Sequence, residues 1–169
     1  MFQLRVSAKK IVFTAMFAAI IFVGTRISIP APFGNGYIHL GDSFVYLCAT
    51  LLPLPYCAVS ALIGATFSDV LSGYMIYVPA TAVIKFAMAC CFRGGHEKIL
   101  TSKSTVAAII AGAVNVIGYF VYECIIYGVA GAWASVASNI IQSVGSAVLF
   151  IIIAVTLDRT GFKKIFSNL

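Results

Sequence analysis

Nine of the eleven lysines and arginines fall in three short stretches, Arg5/Lys9/Lys10, Arg93/Lys98/Lys103 and Arg159/Lys163/Lys164, and the long runs between them are almost wholly apolar. Cations gathered at the ends of apolar runs are the positive-inside pattern of a membrane protein, with the N-terminus, one middle loop and the C-terminus on the cytoplasmic side. The composition agrees: 62% of the 169 residues are hydrophobic and 9% charged, too little polarity to clothe a soluble domain of this size. The net charge of +6 is explained by topology and anionic lipid, and nucleic acid is not expected as a partner.

A spanning helix needs about 20 residues, fewer where neighbours shield it. On that basis the chain divides into six segments, roughly 10–28, 39–52, 54–72, 78–92, 105–127 and 132–157, in one transmembrane domain. Pro30 and Pro32 with Gly34 and Gly36, then Pro53 and Pro55, then Gly73 to Pro79, punctuate the cuts. Six spans return both termini to the cytoplasm. The expected fold is therefore an all-α integral membrane protein of six transmembrane helices in a cell membrane.

Five charges lie outside the cytoplasmic stretches: Arg26, Asp42, Asp69, Lys85 and Glu123. An ionisable group at membrane depth is expensive and calls for a role. In the fifth segment Asn115, Tyr119, Tyr122, Glu123 and Tyr127 recur at helical spacing, and in the sixth Ser135, Ser138, Asn139, Gln142, Ser143 and Ser146 form a second stripe. Both stripes occupy the outer half of their spans, and the stretch from Ala147 to Val155 is purely apolar. A channel needs polar lining along its whole path. This pattern describes a cup open to the outside, rich in tyrosine and suited to a flat ligand. Lys85 needs a buried partner, for which Asp42 and Asp69 are the candidates. Glu123 has no cation one turn away and is free to receive a ligand amine or to act as a proton site.

Catalytic signatures are missing: the sequence contains no GxxxxGK[ST], HExxH or GxSxG pattern. The chain is not expected to be an enzyme, and any ATP is used by another chain. His39 and His96 are far apart in sequence and the cysteines lack paired spacing, so neither a metal nor a cofactor is expected. Ala15, Ala18 and Ala19 give the first helix a face of small residues against which another helix can pack closely.

These residues, in order, resemble the substrate-binding S components of energy-coupling factor (ECF) vitamin transporters. The resemblance rests on Ala15-Met-Phe-Ala18-Ala19, on Tyr37-Ile-His-Leu-Gly-Asp42 after a Pro/Gly loop, on Phe67-Ser-Asp69 with Gly73-Tyr74, and on Pro79-Ala-Thr81 followed by Lys85. The set is most similar to the hydroxymethylpyrimidine and vitamin B6 branch. The thiamine branch is rich in tryptophan at its site, and this chain has only Trp133. The resemblance implies an outward-facing ligand cup, a lid formed by residues 27–40, and a prokaryotic plasma membrane. It implies docking through Ala15, Ala18 and Ala19 onto a transmembrane coupling subunit that carries two ATPases. It implies ligand contacts from His39, Lys85, Asn115, Tyr119, Glu123, Asn139 and Gln142, to which the stripe adds Tyr122. Competing readings are an S component for a queuosine precursor, a stand-alone proton-coupled carrier using Glu123 and Asp69, and a non-transport assembly or sensor subunit.

Overall fold

The computed structural model describes residues 8–32, 37–92 and 98–166. Arg5, Gly34, Gly36, Arg93 and His96 lie outside them. Five helices make up most of the chain: α1 (Ala8–Arg26), α2 (Gly41–Leu51), α3 (Leu54–Leu71), α4 (Val78–Cys90) and α5 (Ser102–Arg159). A 3₁₀ turn, Met75–Tyr77, leads into α4, and another, Phe162–Ile165, follows α5. Proline starts two helices where its missing N–H costs nothing: Pro53 precedes α3 with Pro55 in its first turn, and Pro79 sits in the first turn of α4.

The longest helix is two limbs. A straight helix of 58 residues would reach about 87 Å, yet Asp158 near its end accepts hydrogen bonds from Ile99 N and Leu100 N, at 2.8 and 2.9 Å, just ahead of its start. The chain turns back at Gly128, whose φ of 76° and ψ of 169° lie in a region essentially closed to other residues. The first limb begins with a reciprocal cap in which Ser104 N donates to Thr101 Oγ1 and Thr101 N donates to Ser104 Oγ. The segments expected at 105–127 and 132–157 fall in these two limbs.

One element departs from an all-α chain. Residues Ser28–Pro30 (β1) and Tyr37–His39 (β2) form an antiparallel hairpin, with Ser28 opposite His39 and Pro30 opposite Tyr37. Helix α2 accordingly begins at Gly41 and not at His39. At 11 residues, about 16 Å, it is too short to cross a hydrocarbon core of about 30 Å. It is instead packed by α1, α3, α4 and α5 and buried at every residue except Phe44.

By length and composition α1, α3 and α5 can each cross a membrane, and the stretch Met75–Cys90 is a shorter apolar helix. Their outward faces carry exposed Val12, Phe67, Val83, Ile109, Ile125 and Ile152, an apolar surface that lipid solvates and water does not. Packing between α1 and α3 is close because Gly64 faces Ala18: a Cβ on Gly64 would stand 2.5 Å from the Ala18 carbonyl oxygen. Ser60 Oγ adds a bond across the same seam, donating to Thr14 O at 2.9 Å. Ala15 and Ala19 remain exposed on another part of α1.

Candidate ligand cavity

Two environments divide the interior. Tyr46 stacks on Phe92 with ring centroids 5.5 Å apart and meets Phe150 edge-on at 5.9 Å, in a core continuous with Phe17, Met88 and Ile99. Tyr46 thus belongs to the apolar half and not to the polar cup. At the hairpin end the interior opens into a cavity that is partly open at the surface. Its walls come from α1 (Thr25), β2 (Tyr37, His39), α3 (Ala65, Asp69), the α3–α4 connection (Tyr74, Tyr77), α4 (Thr81, Lys85) and both limbs of α5 (Tyr119, Glu123, Asn139, Gln142).

A chain of buried polar contacts forms the cavity floor. Lys85 Nζ lies 2.6 Å from Asp42 Oδ1 and donates to Asn115 Oδ1 at 2.9 Å. Gln142 Nε2 donates to Asp42 Oδ2 at 3.0 Å, while Gln142 Oε1 accepts from His39 N at 3.3 Å. Asn115 Nδ2 reaches Ser143 Oγ at 3.4 Å, and Ser143 Oγ donates to Gly112 O. Of the two carboxylates open to Lys85, Asp42 holds it. The network ties β2 to α2, α4 and both limbs of α5, and compensates much of the cost of burying a charge pair.

Asp69 and Glu123 stand apart from that pair. Tyr37 OH donates to Asp69 Oδ1, and Tyr77 OH donates to Glu123 Oε1 at 3.1 Å. Their second oxygens, Asp69 Oδ2 and Glu123 Oε2, have no hydrogen-bond partner among the described residues, although the hydroxyls of Thr81 and Ser135 stand close enough to Asp69 and Glu123 respectively to stabilise their charge. Burial, followed by the Asp69 charge, pushes the Tyr37 phenol well above its ordinary pKa, so Tyr37 stays a donor. Burial also lowers His39 to about 4, leaving a neutral imidazole whose Nδ1 accepts from Gly41 N at 3.1 Å.

The aromatic lining is continuous. Ring centroids of Tyr37 and Tyr74 are 4.8 Å apart, and Tyr77 is 6.2 Å from both Tyr74 and Tyr119. Thr81 Oγ1 and Tyr119 OH share a hydrogen bond of 2.9 Å.

Of the residues singled out in the sequence, His39, Lys85, Tyr119, Glu123, Asn139 and Gln142 line this cavity. Asn115 lies beneath it, fully buried against Lys85. Tyr122 is turned away, its hydroxyl donating to Ile76 O. Thr25 and Thr81 also line the cavity, as do Tyr37, Tyr74 and Tyr77, three of the tyrosines that the sequence gathers toward the outer half for a flat ligand. The spacing of Tyr77, Thr81 and Lys85, four residues apart on one helical face, was the available signal. Among the described residues no group of three His, Cys, Asp or Glu side chains could hold a metal ion.

The family model described as "ECF-type riboflavin transporter, S component" matches residues 5–159. The chain belongs to that family of S components. As an S component it is the substrate-binding subunit of an ECF transporter, a membrane protein and not an enzyme. The solved structure of the S component of a bacterial ECF transporter superposes with a TM-score of 0.72, covering 90% of this chain and 96% of that one at 20% identity. At that identity the likeness speaks for the fold. An uncharacterized protein of Pyrococcus woesei is 28% identical over 125 residues, or 73% of this S component and 83% of the relative.

Proposed function

We propose that this S component captures a small heteroaromatic vitamin or vitamin precursor of the hydroxymethylpyrimidine or vitamin B6 type from outside the cell. A transmembrane coupling subunit and two ATPases would then drive its uptake. The observation that carries the reading is the cavity: four tyrosine rings and a set of amide, hydroxyl and carboxylate groups converge on one space at the hairpin end. Ring faces interleaved with hydroxyl, amide and carboxylate groups suit a single flat ring with short polar substituents. With both termini cytoplasmic, an orientation that the charge clusters support, that mouth would face outside. The hairpin β1–β2 would act as the lid. Exposed Ala15 and Ala19, with half-buried Ala18 beside them, would form the docking face for the coupling subunit.

A second reading is favoured by the family description, which names riboflavin. One screen separates the two: thermal shift of the purified chain with pyridoxine, pyridoxamine, hydroxymethylpyrimidine, riboflavin, thiamine and queuine, followed by titration of each hit. A ligand at 100 times its Kd stabilises by about 2.7 kcal/mol. Stabilisation by a B6 or pyrimidine compound supports the reading, whereas riboflavin or queuine alone would replace it. Ala15→Trp should spare binding and abolish uptake with the partner subunits. Uptake in vesicles driven by a pH gradient without ATPases would instead establish a proton-coupled carrier.

A further inference from the structure

The charged groups around the cavity do not balance. Among the described residues Lys85 is the only Lys or Arg in its lining, and it is already engaged by Asp42 and Asn115. Arg26, the nearest cation in sequence to the lining residue Thr25, is exposed and donates to Ser72 Oγ at 2.6 Å. This leaves Asp69 and Glu123, 5% and 2% exposed, with no Lys or Arg in ion-pair contact among the described residues; Lys85 acts on Asp69 only through its more distant charge. Each has one oxygen held by a tyrosine hydroxyl and the other without a hydrogen-bond partner among those residues. They approach from different walls, Asp69 on α3 and Glu123 on the first limb of α5, with α4 packed against both helices. Between them run the rings of Tyr37, Tyr74, Tyr77 and Tyr119, each presenting a negative π face that attracts a cation. Tyr119 already meets a cation, since Lys85 Nζ lies 5.6 Å from its ring centroid.

Building on the capture function proposed above, we infer that the solute is a small planar cation, a heteroaromatic ring bearing a protonated amine or a protonated ring nitrogen. Asp69 and Glu123 accept its N–H groups at two edges and the tyrosines cover its faces. Binding supplies the positive charge that the walls lack, and charge-assisted bonds to two buried carboxylates are the strong kind. A neutral solute leaves both carboxylates unanswered, and an anionic, phosphorylated one is repelled by them. The sequence suggested an amine against Glu123 alone; Asp69 as its counterpart is visible only in the folded chain.

The test compares nitrogen and oxygen partners of similar shape by calorimetry on the full chain in detergent: pyridoxamine against pyridoxine, and aminopyrimidine hydroxymethylpyrimidine against its pyrimidinone analogue. The same titrations are run on Glu123→Gln and Asp69→Asn. The amine compound should bind at least about tenfold more tightly than its oxygen partner in one pair, and each amide variant should remove at least about tenfold of that affinity while changing the oxygen partner by less than about twofold. Equal affinity within both pairs overturns the cation assignment and leaves the capture reading standing. Undiminished amine binding in both variants also overturns it, because the carboxyls would then serve as neutral groups. No binding by any of the four compounds overturns the capture reading and this assignment together. The comparison of ligands on the unaltered chain needs no variant to fold.

Discussion

Lys85 Nζ and Asp42 Oδ1 meet at 2.6 Å in the cavity floor, both side chains about 1% exposed, so an ammonium and a carboxylate neutralise each other in the buried interior. Removing one partner strands the other. Lys85→Met should lower unfolding stability by about 3–5 kcal/mol, and the double change with Asp42→Leu should restore much of it. Thermal unfolding of the parent and both variants in one detergent checks this; a double variant no more stable than the single one would show that the hydrogen bonds of Asn115 and Gln142 depend on the pair.

Tyr77 lines the cavity and Tyr122 does not. Tyr77→Phe keeps the ring but removes the donor to Glu123, and should weaken ligand binding by about 1.5–3 kcal/mol. Tyr122→Phe, whose hydroxyl bonds Ile76 O away from the lining, should leave affinity within about threefold of the parent. Titration of both variants with one ligand decides whether the cavity or the wider tyrosine stripe binds it.

Gly128 should resist substitution for a backbone reason. Nothing lies within 4 Å of a Cβ built there, so Gly128→Ala meets no clash, yet its φ of 76° with ψ of 169° should cost about 1–3 kcal/mol. Gly145→Ala, mid-helix with its nearest contact at an ordinary 4.0 Å, should instead stabilise by about 0.5–1 kcal/mol. The two melting temperatures should move in opposite directions.

His39 makes stability depend on pH. Its ordinary pKa of 6.5 falls to about 4 in the folded protein, chiefly through burial, with Lys85 lowering it and Asp42 opposing. The folded state therefore holds fewer protons than the unfolded one between these values. The His39 contribution is complete above about pH 6.5 and is lost as pH falls toward about 4, at no more than about 1.4 kcal/mol per pH unit. Protonation at Nδ1 would also break the bond from Gly41 N, loosening the hairpin. His39→Gln should flatten the melting temperature between pH 7 and 5.

Much of the helical layout was legible because apolar runs and proline punctuation are local properties. The hairpin was not: strands of three residues, Ser28–Pro30 and Tyr37–His39, are too short to show an alternating period. Tyr119 and Tyr122 read as one stripe, but three residues on a helix leave an offset of roughly 60°, enough to turn one inward and the other toward Ile76. Lys85 demanded a partner, and its identity depended on how α2 and α3 stand around α4, which no spacing within one segment encodes. The pairing of Asp69 with Tyr37 and of Glu123 with Tyr77 joins residues 32 and 46 positions apart. Such meetings follow from packing alone.

The enclosure of α2 bears on how the protein is made. An eleven-residue helix sheathed on its sides by α1, α3, α4 and α5 presents almost no surface of its own to lipid, and its Asp42 finds Lys85 and Gln142 only on segments synthesised later. The contacts that fix the second segment therefore cannot all form until the C-terminal limb has been made, and that limb closes the wall against which an early, charged segment rests.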